Sequence, residues 1–246
     1  MAMMTPAELE FYRKNGYLLH KKQLLSAEKM AGLTAVFEEQ LAAKGDKLSD
    51  ELDTPHFRDA RLFDYLLAPE VLDLVEAVTG PDIVLWSSHF ICKDPFKGRA
   101  TPWHEDSAYW KGKLDNFDNV ITIWLALDPS NRKNGCLRVI PGSQSNGFSA
   151  YEAIDGVTNT FNTQAKGVDE SKAVYFELER GECSLHDSRI LHGAEANTSP
   201  TRRCGYTMRY FPSSVRVIPE KTQGHKVYLA RGKDKAGNTY AELPSR

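Results

Sequence analysis

From Gly80 onward the chain consists of short segments rich in β-branched and aromatic residues, at 84–92, 120–127, 136–140, 174–178, 183–186 and 205–211. Turn signals punctuate them: Asp94-Pro95, Asn134-Gly135, Pro141-Gly142 and Ser199-Pro200. Parallel strands need long crossovers, usually helical, to return to the same end of a sheet. No helical period separates these segments. The pattern therefore predicts an antiparallel sandwich or barrel rather than a parallel sheet.

The first 80 residues read as mostly helical. Thr5-Pro6-Ala7-Glu8 is a helix start, a cap residue followed by Pro and an acid in the first turn, and Gly16 ends that helix. Ser26-Ala27-Glu28-Lys29 opens a second, with Met30, Leu33, Val36, Phe37 and Leu41 at helical spacing. Residues 45–55 read as a polar loop, and 69–78 as a third helix stopped by Thr79-Gly80-Pro81. No repeat, low-complexity stretch or linker divides the chain. Of its 246 residues, 41% are hydrophobic, enough for one sizeable core. A single domain over 1–246 is expected, with 1–80 as helical cover and 81–215 as the β core.

A net charge of -2 gives no electrostatic reason to expect nucleic acid or an anionic membrane as partner, so a small molecule is the expected one; oligomeric state is left open. Residues 1–9 lack the charged-then-apolar pattern of a secretory signal, and no run of 18 apolar residues occurs. Cys92, Cys136, Cys183 and Cys204 are scattered without a C-x-x-C pair, which reads as buried free thiols in a reducing, cytoplasmic setting.

The chemistry begins at Trp103-His104-Glu105-Asp106. On a strand, residues two apart share a face, so His104 and Asp106 can reach one ion while Glu105 points away. A second imidazole completes a two-histidine, one-carboxylate set. Such a set leaves three positions open on iron(II). His186 and His192 are the candidates, and His192 has Arg203 eleven residues on. Asn197-Thr198-Ser199-Pro200 between them is turn chemistry. A reversal there would set His192 and Arg203 near each other on adjacent strands. An arginine beside a half-filled iron site suits a dicarboxylic acid such as 2-oxoglutarate: one end chelates the metal and the far carboxylate meets the guanidinium fork.

Several further segments extend this pattern: Trp124-Leu125-Ala126-Leu127-Asp128, Asn134-Gly135-Cys136-Leu137, Pro141-Gly142-Ser143 and His192-Gly193. With His104-Glu105-Asp106 and Arg203, their order and spacing resemble the phytanoyl-CoA dioxygenase family of iron(II)/2-oxoglutarate oxygenases. The resemblance implies a mainly β fold, a double-stranded β-helix (jelly-roll, cupin-like) core with flanking N-terminal α-helices. It implies His104, Asp106 and His192 as iron ligands, Arg203 as partner of the far 2-oxoglutarate carboxylate, and Trp124 as a wall of that pocket. Thr122 shares the strand face of Trp124 and is expected to donate to the co-substrate; Lys93 is expected near the co-substrate end. The implied reaction uses O2 to hydroxylate, or otherwise oxidise, a small organic substrate with release of succinate and CO2; desaturation and ring formation share this machinery. Two departures stand out: Gln144 where the family often has His, and Ala194 where it often has a hydroxyl residue.

Substrate contacts are expected from Ser107, Tyr109 and Trp110 after the metal motif, from Arg189, and from Arg209, which shares strand parity with Arg203. A structural carboxylate is the competing partner for Arg209. Asp187 and Glu195 are candidates to orient His192. His20, His56, His89, His186 and His225 read as surface or satisfied core histidines. Two other classes compete: a cupin-like metalloenzyme without 2-oxoglutarate, which has no need of Arg203, and a non-catalytic binding module, which has no need of all three ligands.

Overall fold

The computed structural model describes residues 4–222 and 224–244; the first three residues of the stretch read for a secretory pattern lie outside the described ones. Helix α1 (Pro6–Asn15) starts at Thr5, whose Oγ1 accepts from the Glu8 N–H at 3.2 Å while the Glu8 carboxylate accepts from the Thr5 N–H at 2.7 Å. Gly16 ends it in the left-handed region at φ 78°. Helix α2 (Ala27–Ala42) buries Met30, Leu33, Val36 and Phe37, the face its spacing predicted. A short α3 (Phe63–Leu66), α4 (Pro69–Thr79) and a one-turn α5 (Asp106–Trp110) complete the helices. Among the described residues, no helix is long and apolar enough to cross a membrane.

The strands are β1 (Tyr17–His20), β2 (Leu52–Asp53), β3 (Ile83–Lys93), β4 (Thr101–His104), β5 (Ile121–Ala126), β6 (Leu137–Val139) and β7 (Tyr151–Ala153). They continue with β8 (Thr163–Ala165), β9 (Val174–Tyr175), β10 (Cys183–Asp187), β11 (His192–Ala194), β12 (Arg203–Pro212) and β13 (Tyr228–Arg231). A seven-stranded sheet runs β1-β10-β5-β12-β3-β13, with β2 also paired to β3. A four-stranded sheet runs β4-β11-β6-β9, and β7-β8 form a ribbon. These strands pair antiparallel throughout, as the jelly-roll expectation requires. The expected polar loop 45–55 differs in one respect: Leu52, 5% exposed, tucks its side chain into the core and pairs with Phe90.

Period-two alternation explains which side of the large sheet becomes the site. On β5, Ile121, Ile123 and Leu125 join the core formed with α2, α3 and α4, while Thr122 and Trp124 turn to the inner face. On β12, Cys204, Tyr206, Met208 and Tyr210 face that core, whereas Arg203, Thr207 and Arg209 line a cavity of about 740 Å³ between the sheets. Helices thus seal the outer face of the large sheet, and its inner face is free to carry polar chemistry.

Candidate metal centre

His104 ends β4 and His192 begins β11, and the two are direct cross-strand partners with ring centroids 4.1 Å apart. Each Nδ1 sits against a backbone carbonyl, Pro102 O at 2.8 Å and Ile190 O at 2.9 Å. A carbonyl only accepts, so each Nδ1 carries the proton and each Nε2 presents its lone pair. Asp106 does not continue the strand: β4 stops at His104, Glu105 remains extended, and Asp106 is the first residue of α5. Extended geometry at Glu105 preserves the alternation, so the Asp106 Oδ1 still comes to 4.0 Å from His104 Nε2. Glu105 points the other way, accepting from Ser149 N (2.9 Å) and Oγ (2.6 Å) and from the Tyr151 hydroxyl. One donor atom from each of His104, Asp106 and His192 lies within 4.8 Å of the others, all buried.

The electrostatics suit a cation. Burial lowers the His104 pKa, and burial with neighbouring imidazoles holds His192 well below its ordinary value, so both offer neutral nitrogens. Burial alone would raise Asp106, but Arg209 and the imidazoles overcome it and keep the carboxyl well below the usual range.

Three side chains from three adjacent strands surround the other oxygen, Oδ2. The Thr122 hydroxyl donates to it at 2.9 Å, Arg209 Nε donates at 3.3 Å, and His186 Nε2 stands at 3.9 Å, beyond hydrogen-bond distance. They form one row because His186 on β10 pairs with Thr122 on β5, which pairs with Arg209 on β12. Two expectations are corrected here. The single Thr122 proton is taken by Asp106 rather than a co-substrate. His186 is neither a surface nor a satisfied histidine: it is 2% exposed, lines the cavity 4.7 Å from the His192 ring, and has no hydrogen bond at either nitrogen. His56, His89 and His225 do each bond through one ring nitrogen.

Arg203 also lines the cavity, 1% exposed, but not on a strand adjacent to His192: β11 belongs to the small sheet and β12 to the large one. The turn at 197–200 carries the chain across from one sheet to the other. The Arg203 guanidinium lies 4.5 Å over the Trp124 ring. Among the described residues no carboxylate pairs with it, its Nε has no hydrogen bond, and burial lowers its pKa to about 10. A buried charge without a partner is costly unless a ligand supplies one. Gly205 underlies this platform, since a Cβ there would run into the Trp124 ring. Gly205→Ala is expected to cost about 1–3 kcal/mol of stability by forcing Trp124 aside, read as a lower denaturant midpoint.

The other expected contacts divide. Tyr109 and Trp110 line the cavity. Ser107 is fully buried outside the lining with an unbonded hydroxyl. Arg189 folds back onto Asp187 at 3.1 Å and Asp118 at 3.4 Å, outside the cavity lining, where two carboxylates hold it. Lys93 is wholly buried behind the wall; its ammonium donates to the Arg99 and Glu195 carbonyls, and burial pushes its pKa well down. Asp187 and Glu195 do not orient His192: the first accepts from Arg189, the second from Arg138 and Tyr175. Ser143 instead accepts from the Leu191 N–H at 2.8 Å, fixing the backbone just before His192. Gln144 points to the carbonyls at the end of α1, and Ala194 lies in the cavity wall.

Comparison with known proteins identifies the family and the fold. Residues 12–205 match the family described as Phytanoyl-CoA dioxygenase (PhyH). The chain is 27% identical over 244 residues to peroxisomal phytanoyl-CoA dioxygenase of Homo sapiens, covering 89% of this chain and 72% of that one. The solved structure of ThoJ, a non-heme monooxygenase, superposes with a TM-score of 0.79 at 24% identity, covering 96% of this chain and 88% of its own. SnoK, a non-heme alpha ketoglutarate dependent carbocyclase from nogalamycin biosynthesis, superposes at 0.76 with 21% identity, covering 98% of this chain and 95% of its own. The likeness to these two is one of fold, the cupin-like jelly roll.

Proposed function

The chain belongs to the phytanoyl-CoA dioxygenase family and is an iron(II)- and 2-oxoglutarate-dependent oxygenase, and on that premise we propose that it hydroxylates a small organic substrate at the His104, Asp106 and His192 cluster. The observation that carries the reading is the pairing, in one cavity, of that cluster with a buried guanidinium, Arg203, that meets no carboxylate among the described residues. The residues fit both groups. Two neutral Nε2 lone pairs and one carboxylate oxygen are a donor set for iron(II). A buried fork stacked on an indole is a seat for a planar carboxylate.

When bound, iron(II) with 2-oxoglutarate supplies the oxidising chemistry, in which decarboxylation to succinate and CO2 accompanies transfer of one oxygen atom to substrate. The chain's own work is placement. Pro102 and Ile190 carbonyls fix the tautomers of the two imidazoles. Thr122, His186 and Arg209 engage Asp106 through Oδ2 and leave Oδ1 turned toward His104. Arg203 on Trp124 would take the far carboxylate of the co-substrate. His104, Asp106, His192 and Arg203 are all buried, which limits the access of water to both anchors.

Anaerobic titration of the protein with iron(II) and then 2-oxoglutarate tests this. A weak visible charge-transfer band should appear and be absent from His192→Ala protein. Iron binding without the band would remove 2-oxoglutarate from the assignment. Thr122→Val, nearly isosteric, is expected to weaken iron(II) binding about 10- to 100-fold through Asp106, measured by competition with a metal chelator; unchanged affinity would mean the hydroxyl does not orient the carboxylate.

A further inference from the structure

A second guanidinium in the cavity is left with its fork open. Arg209 stands six residues beyond Arg203 on the same inner face of β12. Its Nε meets Asp106 Oδ2 at 3.3 Å, and among the described residues neither terminal nitrogen has a partner. The side chain is 13% exposed, and its guanidinium carbon lies 5.7 Å from the centroid of the Trp110 ring. Arg209 is not placed to bind the far end of 2-oxoglutarate. It touches the carboxylate proposed to hold the metal, whereas the far carboxylate stands two methylenes beyond the chelating atoms. The two arginines therefore serve different anions.

Charge points the same way. Among the described residues, five cationic and four carboxylate side chains line the cavity. Iron(II) and the 2-oxoglutarate dianion cancel each other, so one positive charge remains inside the loaded site. Lys113 and Lys221 also line the cavity, which favours entry of an anion. We propose that the primary substrate is a monocarboxylate, its carboxylate seated on the terminal nitrogens of Arg209 and its body against the wall of Trp86 and Trp110. These indoles lie 6.0 Å apart, and both line the cavity. The proposal rests on the iron and 2-oxoglutarate reading and adds the substrate class to it.

The test uses the smallest carboxylate as probe. Absence of the charge-transfer band with iron(II) and 2-oxoglutarate would sink the underlying reading by itself. With the band established, zinc(II)-loaded protein saturated with 2-oxoglutarate, so that Arg203 is occupied, is titrated with acetate and separately with acetamide, and binding is read by saturation-transfer NMR of the methyl signal. Acetate is expected to bind at least about tenfold more tightly than acetamide, as a charge-assisted pair does over a neutral one. Arg209→Gln, which keeps an N–H for Asp106, should lose that preference when it is compared at zinc(II) and 2-oxoglutarate concentrations that saturate the variant itself. Equal binding of acid and amide, binding of neither, or acetate binding retained in Arg209→Gln would overturn the proposal. The acid–amide comparison on the unmodified protein stands even where the variant fails to fold.

Discussion

Asp106→Ala protein is expected to bind iron(II) about a hundredfold more weakly and to show no turnover. A four-ligand structural zinc site holds its ion by about 10–16 kcal/mol, or on the order of 3 kcal/mol for each ligand, and about 1.4 kcal/mol is tenfold. Iron(II) stands below zinc in intrinsic affinity for such donors, so the loss leaves little bound metal at working concentrations. The change also removes the acceptor shared by Thr122 and Arg209. Asp106→Asn separates the two effects, because it keeps the shape and an acceptor oxygen but not the charge. Chelator competition under anaerobic conditions measures the affinity. An Asp106→Ala protein that held iron(II) as tightly as its parent would remove this residue from the ligand set.

Arg203→Met should move two quantities in opposite senses. Loss of a desolvated guanidinium–carboxylate pair costs about 2–5 kcal/mol, so the dissociation constant of 2-oxoglutarate should rise roughly a hundredfold. Without co-substrate the sign reverses. Burial lowers the Arg203 pKa to about 10, below its unfolded value, so the charged form is disfavoured on folding throughout the neutral range. Replacing an uncompensated buried charge with an apolar chain of similar length should stabilise the unloaded protein, by about 1 kcal/mol once the lost packing on Trp124 is set against it. Thermal melts with and without 2-oxoglutarate read both: the midpoint without ligand rises and the ligand-induced shift shrinks. Unchanged ligand affinity would show that Arg203 is not the anchor.

The residues His104, Asp106, His192 and Arg203 were legible because their signal is local, a dipeptide spacing and a turn of known chemistry. The caps of α1 and α2 were legible for the same reason. What stayed hidden depends on pairing between distant segments. His186 reads as an ordinary strand histidine until β10 is set against β5, whereupon it falls in a row with Thr122 and Arg209. Thr122 lies on the expected face but donates to Asp106, because α5 brings that carboxylate over β5 and nothing local announces the crossing. Arg189 turns from the cavity because a carboxylate two residues away holds it, and Lys93, opposite Arg203 in the sheet as the co-substrate end requires, gives its ammonium to two backbone carbonyls. The reversal at 197–200 was recognised as a turn, yet turn chemistry does not say whether a chain re-enters its own sheet or the opposite one.

That last point bears on what holds the two layers together at this end. The imidazoles hang from the small sheet, whereas Arg203 and the groups gripping Asp106 hang from the large one. An ion with its chelate would therefore act as a cross-brace, tying one layer to the other across a gap that side chains leave unfilled. Ligands that bind only the closed arrangement stabilise it by about 2.7 kcal/mol at a hundred times their dissociation constant. Amide exchange along β4 and β11 should slow on loading, and the breathing of this seam would then be set by its occupants rather than by the apolar core.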